Sequence, residues 1–253
     1  MSPLLISKRK QLTPANFVSL LYCVSKYNLI DVYDLHPLYV EFLFNFEEKK
    51  FKTEIKNNLP KILFTLANFA LRTKEFNPLF KEMAITLPQF LKENFSSSNS
   101  ENLEEILLSI AVIELCMKYD LTEIDFGKYF SAELITSLLN LQLLKMKNEE
   151  NVKKFVENFG INKIRYDYTN LQIFNVIIYK DYNMPAILIN DSDYNINGKF
   201  SGSVYIKYNH LSSYLEKPPM VINVDRVKSK NDLEKEFFLY FKNSQGVYKN
   251  HLN

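Results

Sequence analysis

Apolar residues in the first half of the chain fall at helical spacing, in a phrase that comes round three times. Phe17, Leu20, Leu21 and Val24 stand at i, i+3, i+4 and i+7; Leu59, Ile62, Leu63 and Leu66 repeat the spacing, and so do Leu103, Ile106, Leu107 and Ile110. The phrases begin at Phe17, Leu59 and Leu103, 42 and then 44 residues apart. Each is one stripe of a helix with about 3.6 residues per turn. A second helix echoes behind each first one, around Leu38, Tyr39 and Phe42, around Leu79, Phe80 and Met83, and around Ile124, Phe126 and Tyr129. A helix pair striped in this way cannot bury its apolar face alone, and stacking on the next pair is the physical reason to repeat it. The pattern predicts an α-solenoid of helical hairpin repeats over residues 1–160.

Punctuation agrees with the pattern. Thr13 can cap the amides behind it and Pro14 suits a first helical turn. Asn58-Leu59-Pro60 and Ser100-Glu101-Asn102 open the next two phrases, and the polar stretch Ser96 to Ser100 reads as a loop. From Glu133 to Phe159 the spacing stays helical, interrupted by the charged stretch Lys145 to Glu150, and Gly160 suits a C-cap.

Beyond Gly160 the pattern changes, and Lys163 to Tyr168 alternates around Ile164 and Tyr166. Lys163 to Tyr168, Phe174 to Tyr179, Ala186 to Ile189 and Val221 to Val224 are short and rich in β-branched or aromatic residues. Between the last two, Leu211, Tyr214 and Leu215 return to helical spacing and Pro218-Pro219 stops them; a last helix, opened by Ser229 or Asn231, carries Leu233, Phe237, Phe238, Tyr240 and Phe241. Residues 161–253 therefore read strand, strand, strand, helix, strand, helix: a small α/β module.

Composition excludes several classes. With five glycines and neither a G-x-x-x-x-G-K-[ST] nor a G-x-G-x-x-G string, a Gly-rich phosphate loop is not expected. Cys23 and Cys116 lie on the apolar phrases without a C-x-x-C partner and read as buried small hydrophobes of a reducing compartment. His36, His210 and His251 lack metal-ligand spacing, so neither a metal nor another cofactor is expected. No run of about 18 apolar residues offers a membrane span. The stretch Met1 to Ile30 has Lys8, Arg9, Lys10 and Lys26 and no acidic residue, compatible equally with a basic organelle-targeting start and with a solvated lead-in. The formal net charge is +2, and its excess lies in the tail: 19 basic against 20 acidic residues up to 160, then 12 against 9.

The order of elements resembles the RAP-domain proteins, a group that includes FAST-kinase-like proteins and large apicomplexan and algal organellar sets. Their tails have a strand reading roughly Ile-Glu-Val-Asp-Gly, a Gly-x-x-x-x-Lys-x-x-x-Leu helix opening, an apolar strand and an aromatic-rich closing helix. Here Ile187-Leu-Ile-Asn-Asp191, Gly202-Ser-Val-Tyr-Ile-Lys207-Tyr-Asn-His210-Leu211 and Met220-Val-Ile-Asn-Val224 stand in those places, and Leu63-Phe-Thr-Leu-Ala67-Asn-Phe69 resembles the family's preceding helical repeats. The resemblance implies a restriction-endonuclease-like core, in which carboxylates on adjacent strands hold a catalytic metal. This chain departs from that set: Leu188 stands at the family's Glu, Asn190 at the following Asp, and Asn175 on the preceding strand. Leu has no ligand atom and Asn no charge, so a fold that binds nucleic acid without cutting it is expected. Asp191 and Asp193 read as turn formers in Asn-Asp-Ser-Asp.

For RNA contact the candidates are Lys207 and His210, at i and i+3, with Tyr205 and Tyr208 beside them; Lys163 and Arg165; and Arg226, Lys228 and Lys230, the densest basic run of the tail. Cations for phosphates and aromatic planes for bases are what single-stranded RNA binding requires. Packing of the tyrosines against the sheet and solvation of the charge run are the structural alternatives. In the repeats, Lys8-Arg9-Lys10 and Lys49, Lys50 and Lys52 could line one edge.

High Asn, Lys, Tyr and Ile content looks like an AT-rich genome, and within the resembled family this implies an apicomplexan mitochondrion and a non-catalytic binder of single-stranded or ribosomal RNA among other ribonucleoprotein subunits. A scaffold gripping another protein is the alternative from a different class, and an RNA nuclease using Asp191, Asp193 and Lys207 is a third.

Overall fold

The first phrase becomes helix α1 (Pro14–Lys26), with Pro14 in its first turn and the Asn16 N–H donating to Thr13 Oγ1 at 3.3 Å. The computed structural model that gives this arrangement describes residues 11–29, 53, 58–73, 78–94, 102–119, 124–148, 155, 164–169, 172–179, 182–195 and 197–244. The second and third phrases form α2 (Leu59–Thr73) and α4 (Leu103–Lys118), and the second echo forms α3 (Pro78–Asn94). The first helices stack, α1 on α2 and α2 on α4, while α3 packs on α2. Their stripe residues are buried in one apolar cluster, with Leu20 half-buried at its margin. Helix α4 is enclosed almost all round, which is why its burial runs unbroken from Glu105 to Ile113. The echo around Leu38 and the loop from Ser96 to Ser100 lie outside the described residues, as do Gly160 and the basic clusters Lys8 to Lys10 and Lys49 to Lys52.

Three expectations change here. The third echo is a single four-residue turn, α5 (Phe126–Tyr129), capped by Asp125 accepting from the Lys128 N–H at 3.1 Å. The next helix, α6 (Ala132–Asn148), runs into the expected interruption as far as Asn148, since Lys145 is exposed and a charge at an exposed helical position costs little; Glu149 and Glu150, the rest of that stretch, lie outside the described residues. Cys116 is buried, and burial pushes its thiol up to about 12. Cys23, by contrast, is exposed: the buried face of α1 runs through Phe17, Leu21 and Val24, and Cys23 falls off it.

Glu105 on α4 reaches back to α1. Its Oε1 accepts from the Tyr22 hydroxyl at 2.7 Å and from Lys26 Nζ at 3.0 Å, and Lys26 also donates to the Tyr22 oxygen at 2.9 Å. Burial works against the ionised form of Glu105, but these two donors outweigh it and hold its carboxyl below the usual range. A charged knot thus ties the first helical phrase to the third.

The tail is a mixed four-stranded sheet in the order β1-β2-β3-β4: β1 (Ile164–Thr169), β2 (Gln172–Tyr179), β3 (Tyr182–Ile189) and β4 (Met220–Asn223). The first three are antiparallel, and β4 returns parallel to β3 with Ala186 opposite Met220 and Ile189 opposite Asn223. A parallel return needs a crossover, supplied by α7 (Gly202–Tyr214). The side chains alternate between two faces, as the strand period demands. Ile177, Met184, Ala186, Met220 and Ile222 pack under Leu233, Phe237 and Tyr240 of α8 (Lys230–Ser244). Val176, Ile187 and Ile189 pack under Val204 and Leu211 of α7. Pro185 is tolerated in β3 because pairing with β4 begins only at Ala186. The chain is thus mostly helical with a small mixed sheet, in the order strand, strand, strand, helix, strand, helix that the sequence predicts.

Helix α7 belongs to both halves. Its Ile206 is buried in the cluster formed by α1, α2 and α4, while Val204 and Leu211 face the sheet. Gly202 permits this closeness, for a Cβ there would lie 2.0 Å from the Ser25 carbonyl oxygen. Polar contacts fix the junction. Asn28, left-handed at φ 50°, donates to the Phe200 carbonyl at 2.8 Å, and Asn195 donates to the Asn28 carbonyl at 3.0 Å. Arg72 donates to Asn28 Oδ1 and stacks 4.3 Å from the Tyr205 ring, and Lys118 donates to the Ser213 carbonyl and lies 4.0 Å from the Tyr214 ring.

Candidate nucleic-acid interface

Open sheets present ligand sites where parallel strands end at their carboxyl side. In this chain that place lies after Ile189 of β3 and Asn223 of β4, strands held together there by the Val224 N–H donating to the Ile189 carbonyl at 2.9 Å. After β3 the backbone turns through a short 3₁₀ segment, Asp191–Asp193, in which Asp193 Oδ2 accepts from the Asn190 N–H at 2.8 Å. After β4 it turns again, with the Arg226 and Val227 N–H groups both donating to the Asn223 carbonyl at 3.2 Å.

Asp191 joins the two turns. Its Oδ1 accepts from Asn223 Nδ2 at 2.9 Å and from Arg226 Nε at 2.8 Å, while its own N–H donates to Asp225 Oδ2 at 2.9 Å. The hydrogen bonds from Asn223 and Arg226 hold the Asp191 carboxyl below the ordinary range, and the charge of Lys228 adds to their effect. Arg226 is 63 % exposed in its side chain and lies over Tyr194, 4.8 Å from the ring centroid. Tyr194 continues into an aromatic row, 5.6 Å from Phe200, which is 6.3 Å from Tyr208. Lys228, just after the turn, and Lys230, the first residue of α8, are exposed. Asp193 is the exception to the local pattern, for burial raises its carboxyl despite the Asn190 amide and the nearby charge of Lys207.

The structure sorts the residues singled out in the sequence. It brings Arg226, Lys228 and Lys230 together at the strand ends. Lys207 is half-buried on α7, close enough for its charge to act on Asp193. Tyr208 packs toward the sheet cluster, and Tyr205 lies under Arg72 on the repeat side. His210 is corrected: it is fully buried, its Nε2 is 2.8 Å from Glu114 Oε2 of α4, and its ring stacks on Tyr214 at 4.9 Å. A side chain sealed between two helices presents nothing to an RNA, and the spacing from Lys207 misled because α4 covers that part of the helix. Arg165 lies on β1, opposite Val176, and Lys163 lies outside the described residues.

At the places where the resembled family carries metal-binding acids, Leu188 is half-buried against the cluster under α8, and Asn175 stands opposite Ala186 in the sheet register. Among the described residues no three His, Cys, Asp or Glu side chains are grouped to hold a metal ion. Asp191 and Asp193 serve as turn formers through the bonds above. Sequence reasoning missed Tyr194 and Asn223, and its signal for Asn223 was only the Asn-Val-Asp-Arg turn after a strand.

No family model matches the sequence, and no solved structure matches it. An arginine–tRNA ligase of Borrelia garinii subsp. bavariensis is 30% identical over 199 residues, which cover 73% of this chain and 33% of that protein. The chain spans about a third of the length of this curated relative. Among the described residues no helix is long and apolar enough to cross a membrane.

Proposed function

We propose that this chain is a non-catalytic RNA-binding protein whose tail holds single-stranded or ribosomal RNA at the carboxyl ends of β3 and β4. The observation that carries the reading is the Arg226 guanidinium, held by Asp191 through Nε, laid over Tyr194 and still 63% exposed in its side chain, with Lys228 and Lys230 exposed nearby in the chain. Guanidinium and ammonium groups take phosphates, and Tyr194, half-buried at the margin of the sheet cluster, is the aromatic side chain beside them. The nuclease alternative is weakened by the uncharged residues at the expected acidic positions and by the commitment of Asp191 to Arg226.

The finer architectural reading is likewise our own: stacked hairpins forming an α-solenoid, and a RAP-type, restriction-endonuclease-like tail. It is supported by the side-by-side stacking of α1, α2 and α4 and by the mixed sheet with its parallel last strand. The resemblance to organellar RAP proteins extends the reading to the mitochondrion and to a place in its ribosome, an extension by analogy of fold and not of site. A second reading, a protein scaffold, is favoured by Phe238 and Leu239, which α8 leaves 67% and 48% exposed; co-purification that survives nuclease treatment supports it.

A titration of labelled single-stranded RNA at several salt concentrations tests the reading. The chain is expected to bind at low salt, with affinity falling as salt rises. The double variant Arg226→Ala/Lys228→Ala is expected to flatten the logarithmic salt slope by ~0.7 for each phosphate it no longer neutralises. Unchanged slope and affinity in a folded variant place the RNA elsewhere, and absence of binding at low salt removes the proposal.

A further inference from the structure

The turn Asp191–Asp193 has two sides. Asp191 faces Arg226 and Lys228 of the tail, as described. Two residues on, Asp193 stands at the junction of the halves, within reach of the charges of Lys207 on α7, of Lys26 at the end of α1 and, in the opposite sense, of Asp225. The junction has a covalent and hydrogen-bonded basis. Ser25, next to Lys26, sets its carbonyl against Gly202 at the start of α7. Asn28, two residues after Lys26, is bonded to Phe200 and Asn195 of the tail loop. The Ser201 N–H in turn donates to the Asp193 carbonyl at 2.6 Å. Lys26 is therefore held in place beside the tail and cannot drift from it with a loose helix end.

On the repeat side two more cations stand near one another. Lys26 Nζ lies 5.3 Å and Lys61 Nζ of α2 lies 5.7 Å from the centroid of the Tyr22 ring. Glu105, which neutralises Lys26, is only 8% exposed in its side chain against 42% for Lys26, so the anion recedes and the cation projects. An ammonium has three donors, and Tyr22 and Glu105 take two of those on Lys26. One donor is left for a ligand.

Resting on the RNA-binding reading above, we propose that the phosphate track crosses the junction: one RNA strand held by Arg226 and Lys228 runs over the Asp191–Asp193 turn onto α1 and α2, where Lys26 and Lys61 bind further phosphates of the same strand. The partner this fits is a single strand long enough to reach both halves, and the closely packed junction gives the two cation pairs a fixed spacing. Fixed spacing lowers the ordering cost of the second set of contacts once the first is made.

The test is a fluorescence-anisotropy titration of the full chain with a labelled oligouridylate at several salt concentrations, alongside thermal melting of each variant. Lys61→Ala leaves the Lys26–Glu105 knot intact, and Lys26→Gln/Glu105→Gln removes both charges together so that no buried carboxylate is stranded. Each is expected to weaken binding several-fold at low salt and to lower the salt slope by ~0.7 per phosphate released from the track. If Arg226→Ala/Lys228→Ala weakens binding while both repeat-side variants melt normally and bind with wild-type affinity and slope, the track ends at the tail and the inference is wrong, although the RNA-binding reading stands. If the unmodified chain leaves the anisotropy unchanged at low salt, the RNA-binding reading itself has failed, and this inference falls with it.

Discussion

Gly202→Ala is expected to lower the denaturation midpoint sharply and to separate the unfolding of the tail from that of the helices. The added Cβ would lie 2.0 Å from the Ser25 carbonyl oxygen and 3.0 Å from Asn68 Oδ1. The first of these obstacles is backbone, near the end of α1, and α1 is held by burial of Phe17, Leu21 and Val24 in the helical core. No rotamer change relieves it, so α7 must move off. Overpacking usually costs about 1–3 kcal/mol, and a backbone clash at a junction belongs at or above the top of that range. Moving α7 also withdraws Ile206 from the helical cluster and pulls His210 from Glu114. Equilibrium unfolding in urea, followed by tyrosine fluorescence and far-ultraviolet dichroism, checks it. Coincident transitions at the wild-type midpoint would show that the close approach does not exist.

The second large effect concerns Glu105. Removing its carboxylate as Glu105→Ala strands the Tyr22 hydroxyl and Lys26, and breaking a buried ion pair costs about 3–5 kcal/mol. Lys26 is two-fifths exposed and can recover hydration, which brings the expected loss to roughly 1–3 kcal/mol. The pH dependence has a definite sign. Glu105 titrates below the usual range in the fold, so its contribution is complete above the ordinary glutamate value and is lost as the pH falls through the folded value. The wild-type chain is therefore expected to lose stability on acidification across that window faster than Glu105→Gln, which keeps an acceptor for Tyr22 and has no charge to titrate. Parallel acid profiles for the two proteins would show that the knot contributes nothing through ionisation.

Local patterns were legible in the sequence and contacts between distant segments were not. The stripe Phe17, Leu21, Val24 and its two repeats, the short β-branched and aromatic runs of β2 and β3, and the helix through Lys207 and Leu211, which ends at Tyr214 ahead of Pro218 and Pro219, all follow from patterns a few residues long. The junction does not, because its bonds span the chain: Asn28 to Phe200 is 172 residues and His210 to Glu114 is 96. Abundant asparagine reads along the sequence as base composition, yet Asn28, Asn195 and Asn223 are the residues that tie turns and halves together. Short amide side chains offer a donor and an acceptor each and tolerate left-handed backbone, which suits them to such corners. His210 could be placed on a helix from sequence but not beneath α4, since nothing within reach of a helical period announces Glu114. The basic run from Arg226 to Lys230 was visible as charge; its alignment by Asp191 and Tyr194 became visible only when β3 and β4 were paired.

The most direct measurement of the central claim is ultraviolet crosslinking of single-stranded RNA to the full chain, with the attached peptides identified by mass spectrometry. RNA lying across the carboxyl ends of β3 and β4 is expected to leave adducts on the peptides that contain Tyr194 and the turn from Asn223 to Lys230. Adducts confined to α3 or α6, or a complete absence of adducts under conditions where a known RNA-binding protein is labelled, would contradict it.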